Sequence, residues 1–204
     1  MDIKEKMHSG ALYMPYDDAL FKEQNECQLK LYKYNHLKPT NIKKRNKLLK
    51  EMFAEIGEGS YFEIPLYSSF GCKHCHFGKN VYANFGLTMI DDTHIYVGDN
   101  TLIGPNVVIA TAGHPIDPEL RHQMLQYNAS VHIGKNCWLG ASVVVVPGVT
   151  IGDNTVIGAG SIVTKDIPSG VVAVGNPCKV LREVTERDRE YYFKDRKTPK
   201  EFLK

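Results

Sequence analysis

The chain has 204 residues, 24% of them charged, with 25 Lys and Arg against 23 Asp and Glu. A net charge of +2 gives no electrostatic reason to expect nucleic acid or a membrane surface as partner, and no apolar run approaches the ~18 residues that would span a bilayer. Five cysteines and a charged first thirty residues without an apolar segment argue against a disulfide framework and a secretory signal, so a reducing cytoplasm is expected.

Three regimes follow along the chain. Residues 1–58 are charged and helical in pattern. One helical segment is expected from Ala19 to about Tyr34. A second begins after Pro39, with Thr40 and Asn41 as helix-start residues. In it Ile42, the stem of Arg45, Leu48, Leu49, Met52 and Phe53 share one face. Gly57 and Gly59 end the pattern. This helical region reads as an amphipathic cover for something larger.

Residues 59–183 abandon the helical period for a period of six. The C-terminal part falls into hexads led by Ile133, Leu139, Val145, Ile151, Ile157 and Val163, and Gly follows four of these. The same frame holds at Val97, Ile103 and Ile109, with an earlier unit at Phe77-Gly78. Such a repeat has a physical basis. Short strands with inward aliphatic side chains stack in parallel about 4.8 Å apart. Gly or Asn near each corner permits the tight turn. Three hexads make one triangular coil, and each coil covers the apolar face of its neighbour. The fold class expected is an all-β solenoid, a left-handed parallel β-helix with an N-terminal helical segment and a short C-terminal helix. Its hand is an exception to the right-handed crossover rule.

The frame breaks once, over residues 110–130, and resumes at Ile133. A long excursion from a regular solenoid marks function more often than accident, and it puts His114 at the base of a loop leaving a rigid wall. The third regime, residues 184–204, includes a short charged helix over Glu186 to Phe193, expected to pack on the end of the solenoid.

Cys72-Lys73-His74-Cys75-His76 matches a haem-attachment spacing and offers zinc-binding side chains. Neither is expected. Haem attachment would require export, and successive residues of a strand point to opposite faces and rarely converge on one metal.

Several segments together carry a family resemblance: Lys50-Glu51-Met52-Phe53-Ala54, Tyr82-Ala83-Asn84-Phe85, Asp91-Asp92, Gly113-His114-Pro115, Pro147 to Gly152, Val156 to Pro168, Gly175 to Arg182, and Tyr191 to Asp195. On these the chain resembles the galactoside and maltose O-acetyltransferases of the hexapeptide-repeat superfamily, most closely the galactoside branch. The resemblance implies transfer of acetyl from acetyl-CoA to a sugar hydroxyl in a ternary complex, without a metal. It implies His114 as general base, since imidazole, with a reference pKa of ~6.5, can take a hydroxyl proton near neutral pH. The oxyanion would meet a main-chain N–H. In the family that donor belongs to a Ser after Trp-Ile-Gly; here Trp138-Leu139-Gly140 leads to Ala141.

The family's sugar-contacting positions map to Ser69, Asn84 and Asp92, with Tyr82 and Trp138 as apolar walls. A further family acid falls at Pro15, and a Met of the excursion becomes Gln126. For coenzyme A the candidates are Asn84 and Ala141, main-chain groups at Ala159 and Thr164, and the cations Lys165, Lys179 and Arg182 for the phosphates. Lys179 stands where the family often has Arg. The family also implies a homotrimer with active sites shared between subunits. Two alternatives stay open: a γ-type carbonic anhydrase-like zinc enzyme, which needs three His ligands, and a non-catalytic hexapeptide scaffold.

Overall fold

A computed structural model describes residues 1–203. Its centre is a left-handed parallel β-helix with three faces. The first face holds strands at Glu55–Ile56, Cys75–Phe77, Ile95–Val97, Val131–Ile133 and Thr150–Ile151. The second runs from Tyr61–Phe62 up to Val171–Val174, and the third from Tyr67–Ser68 up to Ile162–Val163. The hexad frame is the frame of the coils. Ile133, Leu139, Val145, Ile151, Ile157 and Val163 are all buried, as are Val97, Ile103 and Ile109. Residues two positions earlier, such as Cys137, Val143, Val149 and Thr155, are buried as well, because a strand returns its side chains to one face every second residue.

At one corner of four successive coils Asn80, Asn100, Asn136 and Asn154 adopt φ of 54–58°, a region that Asn tolerates better than most residues. Their amides form a ladder, Asn80 donating to Asn100, Asn100 to Asn136 and Asn136 to Asn154 at 3.2, 3.2 and 2.9 Å. Each turn is thereby tied to the next by its side chain as well as its backbone.

The coils are not all the same length. His132 pairs with Thr150 and Trp138 with Val156, a regular register of eighteen residues. Lower in the solenoid, Thr88 pairs with Val108 and Tyr67 with Thr88, at twenty and twenty-one residues. All the surplus falls at the corner between the third and first faces: between Tyr67 and His76, between Thr88 and Tyr96, and in the 110–130 excursion. The irregular loops of three successive turns therefore stack on one edge.

Helices α1 (Ile3–Ser9), α2 (Asp18–Asn35) and α3 (Ile42–Met52) precede the solenoid. Helix α1 lies outside the two helices expected from the sequence. Asp2 caps it, with a reciprocal bond from Asp2 N–H to Glu5. Of the expected α3 face Arg45, Leu49 and Met52 are buried, but Ile42 at the start of the helix is exposed, and Asn41 makes no side-chain cap bond. Leu31 and Tyr34 of α2, with Leu49, Met52 and Phe53, join Phe62, Leu66 and Phe77 in the main core, closing the open end of the solenoid. Arg45 is buried with its guanidinium against the Phe62 carbonyl oxygen, and it donates to Tyr61 Oη at 2.7 Å.

At the other end Val171–Val174 pairs antiparallel with Lys179–Glu183. The expected helix from Glu186 to Phe193 is only half formed. Helix α5 covers Glu186–Glu190, and Tyr191–Phe193 pairs instead with Arg196–Lys197 as a small antiparallel ribbon. None of the α5 residues is buried, and Asp188 is held by a bidentate bond from Arg182 at 2.7 Å. No described helix is long and apolar enough to cross a membrane.

Candidate active site

The excursion is a short antiparallel ribbon, Ala112–Gly113 against Tyr127–Asn128, with a one-turn helix α4 (Pro118–His122) at its tip. Asp117 caps α4, and Pro118 occupies its first turn. The ribbon carries His114 just beyond its first strand. His114 is exposed, and its Nδ1 lies 2.8 Å from the Leu125 carbonyl oxygen. A carbonyl oxygen only accepts, so the neutral ring carries its proton on Nδ1 and leaves the Nε2 lone pair open. That is the tautomer a general base acting through Nε2 requires.

Ser69 and Asp92 share the excursion's corner. Ser69 Oγ donates to Asp92 Oδ2 at 2.8 Å. Gln126 Nε2 donates to Asp92 Oδ1 at 3.0 Å. Beside them lies a cavity of about 170 Å³ walled by Tyr13, Pro15, Leu20, Phe21 and Phe70, with Gln24, Asp92 and Gln126 as its polar lining. The neighbouring Asp91 is fully buried and accepts from Ser68 Oγ at 2.5 Å and from the Phe70 N–H at 2.8 Å.

Tyr82, Asn84 and Trp138 lie elsewhere. With Gly104, Ala141 and Ala159 they line a groove of about 450 Å³ at the corner between the second and third faces. Trp138 and Leu102 expose about half their surface there. Asn84 is half-buried; its Oδ1 accepts from the Phe85 N–H at 2.8 Å. The N–H groups of Ala141 and Ala159 have no hydrogen-bond partner among the described residues. Glycines keep them uncovered: a Cβ on Gly104 would lie 2.8 Å from Ala141 N, and one on Gly140 would lie 2.6 Å from Ala159 N. The groove thus offers free backbone donors beside apolar walls.

Of the remaining expected residues, Thr164 and Lys165 follow the strand Ile162–Val163 and are exposed. Lys179 and Arg182 lie on the exposed strand Lys179–Glu183. Arg182 is engaged by Asp188, whose carboxyl this bond holds well below the usual carboxylate range. One chain therefore does not bring the expected residues into a single site. Ser69, Asp92 and His114 belong to one corner, and Tyr82, Asn84, Trp138, Ala141 and Ala159 to another.

In the sequence Gln126 stands out only as a departure from the family, and neither Tyr13 nor Asn128 carries a signal for this site. All three are buried and hydrogen-bonded to one another. Their separation along the chain left no local signal. Cys72 and Cys75 are buried free thiols, His74 Nδ1 contacts the Asp91 carbonyl oxygen, and His76 Nε2 contacts His94 Nδ1. Among the described residues no group of three or more His, Cys, Asp or Glu is disposed to hold a metal.

A solenoid of hexapeptide coils, capped by helices and interrupted by one histidine-bearing ribbon, defines the class of hexapeptide-repeat transferases. The maltose acetyltransferase hexapeptide capping motif matches residues 6–57, and the bacterial transferase hexapeptide (six repeats) matches residues 130–165. The galactoside O-acetyltransferase of Lactococcus lactis is 50% identical over 92% of this chain and 91% of that protein. The Escherichia coli galactoside O-acetyltransferase is 48% identical over 97% of each. A galactoside acetyltransferase solved in complex with coenzyme A superposes with a TM-score of 0.94 at 48% identity, over 98% of this chain and 99% of that one. A maltose O-acetyltransferase from Clostridium difficile superposes with a TM-score of 0.88 at 42% identity, over 91% and 98%. The chain belongs to the galactoside O-acetyltransferase family.

Proposed function

We propose that this protein transfers the acetyl group of acetyl-CoA to a hydroxyl of a sugar of the galactoside, maltose or glucose type. The observation that carries the reading is the 2.8 Å contact between His114 Nδ1 and the Leu125 carbonyl oxygen, which fixes the ring in the tautomer of a base. Nε2 takes the proton of the acceptor hydroxyl as its oxygen attacks the thioester carbonyl, and later returns it to the coenzyme A thiolate. The attack is direct, within a ternary complex. The tetrahedral oxyanion is met by the uncovered Ala141 N–H.

Asp92 and Ser69 bind acceptor hydroxyls, a recognition that rejects analogues lacking them. Asn84, Ala159 and Thr164 bond the pantetheine arm between the walls of Tyr82 and Trp138. Lys165, Lys179 and Arg182 face the coenzyme phosphates, Arg182 by exchanging Asp188.

The separation of the two groups of residues supports a shared site. In a homotrimer the acceptor corner of one subunit faces the pantetheine groove of the next, and neither is complete alone. A thiol-release assay with acetyl-CoA and a panel of galactosides, maltose, glucose and simple alcohols tests the activity. Acceptor-dependent release of coenzyme A with one sugar class is expected; no release with any of them would refute it. Sedimentation of the purified protein at the mass of three chains is expected, and a monomer with full activity would exclude the shared site.

A further inference from the structure

Gln126 occupies a particular place in the excursion. Its Nε2 lies 2.9 Å from Tyr13 Oη, 3.0 Å from Asp92 Oδ1 and 2.9 Å from Asn128 Oδ1. A carboxylate oxygen and an amide oxygen can only accept, so the amide must present its nitrogen to this group, and its orientation follows from chemistry. The residue is buried, so these bonds are little shared with water. Its backbone is held as firmly: Gln126 N–H donates to the Tyr13 carbonyl at 2.8 Å, and Tyr13 N–H donates to the Gln126 carbonyl at 2.9 Å.

The peptide group between Leu125 and Gln126 does two things at once. Its carbonyl oxygen accepts from His114 Nδ1, and its N–H is the group bonded to Tyr13. A peptide unit is planar and stiff. The imidazole is thus anchored to one end of a rigid plane whose other end bears the side chain that grips Asp92. We propose that Gln126 is a positioning residue, setting the Asp92 carboxylate in register with the His114 ring so that a hydroxyl bound at one reaches the other. This rests on the reading that Asp92 binds the acceptor. Gln126 touches no reacting atom and acts through Asp92.

The test is a double-mutant cycle of Gln126→Met and Asp92→Asn, with KM for acceptor and for acetyl-CoA measured separately. Gln126→Met is expected to raise the acceptor KM on the order of tenfold while the acetyl-CoA KM stays within twofold. Combined with Asp92→Asn it should add nothing beyond Asp92→Asn alone. Additive losses, or an unchanged acceptor KM in Gln126→Met, would overturn the proposal while leaving Asp92 as an acceptor ligand. An unchanged acceptor KM in Asp92→Asn would instead remove the acceptor reading itself, and the proposal with it.

Gln126→Glu keeps the shape and guards against a folding artefact. Its carboxylate would repel Asp92 near neutral pH, and protonation would restore a donor. Its acceptor KM should therefore fall as pH is lowered, a dependence that a merely structural residue would not produce. A pH profile parallel to that of the unaltered protein would count against the proposal.

Discussion

A Cβ added to Gly113 would lie 2.7 Å from Cζ of Tyr127 and 2.8 Å from its hydroxyl oxygen. The two residues are partners across the ribbon, and the Tyr127 ring occupies the space that a side chain at 113 would need. A tight ribbon of this kind carries His114, so the glycine acts on the base through packing. Gly113→Ala should lower kcat on the order of tenfold, and Tyr127→Ala in the same chain should restore most of the loss. Steady-state kinetics of the single and double variants decide it; no rescue would place the effect elsewhere.

Removal of the imidazole is the sharper test of the chemistry. His114→Ala should lower kcat by a factor on the order of 10² or more and leave acetyl-CoA binding intact. Calorimetric titration with coenzyme A gives the binding arm. Full turnover in this variant would remove His114 as base.

The uncovered amide of Ala141 makes a backbone prediction that no side-chain deletion can reach. Gly104→Ala introduces a methyl 2.8 Å from Ala141 N. If that N–H meets the oxyanion, kcat should fall on the order of 10². Gly134→Ala, a hexad glycine outside the groove whose Cβ would meet Asp153 Oδ1 at 2.3 Å and Asp153 N at 2.6 Å, is more tightly crowded and is the control for folding damage. Equal losses in both would reduce the effect to packing.

Acid should loosen the N-terminal helix. The His8 ring packs on His74 and His94 at 4.8 Å between centroids, and His76 Nε2 contacts His94 Nδ1 at 2.9 Å. Burial, reinforced by the neighbouring imidazoles and by Lys73 and Lys4, pushes His8 down to about 4. Burial also lowers His74, His76 and His94, although Glu55 beside His76 and the Asp91 carbonyl on His74 act the other way. The folded chain thus binds fewer protons than the unfolded one, whose histidines titrate near 6.5. The stability conferred by neutral rings is whole above that value and is lost progressively as pH falls toward 4. Thermal melting from pH 7.5 to 4.5 should show this decline, and His8→Gln should flatten it. Identical slopes would clear the cluster of any part in it.

The hexads by themselves determined the solenoid. A period of six places two side chains of every short strand inside, and that demand is local, so Ile133 through Val163 declare the fold wherever the chain is read. Most of the amphipathic face of α3 was legible for the same reason, although Ile42 stays exposed and the burial of the whole Arg45 side chain, not only its stem, was decided by Phe62 and Tyr61. His114, Asp92 and Asn84 were visible through family likeness, and the excursion through the broken frame. Tertiary structure alone decided what those residues meet. Gln126 is separated from Tyr13 by more than a hundred residues in sequence, and Ser69 from Asp92 by more than twenty; only the stacking of unequal turns at one corner brings them to hydrogen-bonding distance. The C-terminal segment failed as a single helix because Glu186–Glu190 buries nothing, leaving Tyr191–Phe193 to pair with Arg196–Lys197 instead. Periodic burial is written in neighbours along the chain, whereas the pairing of polar groups across coils depends on how many residues each corner contains.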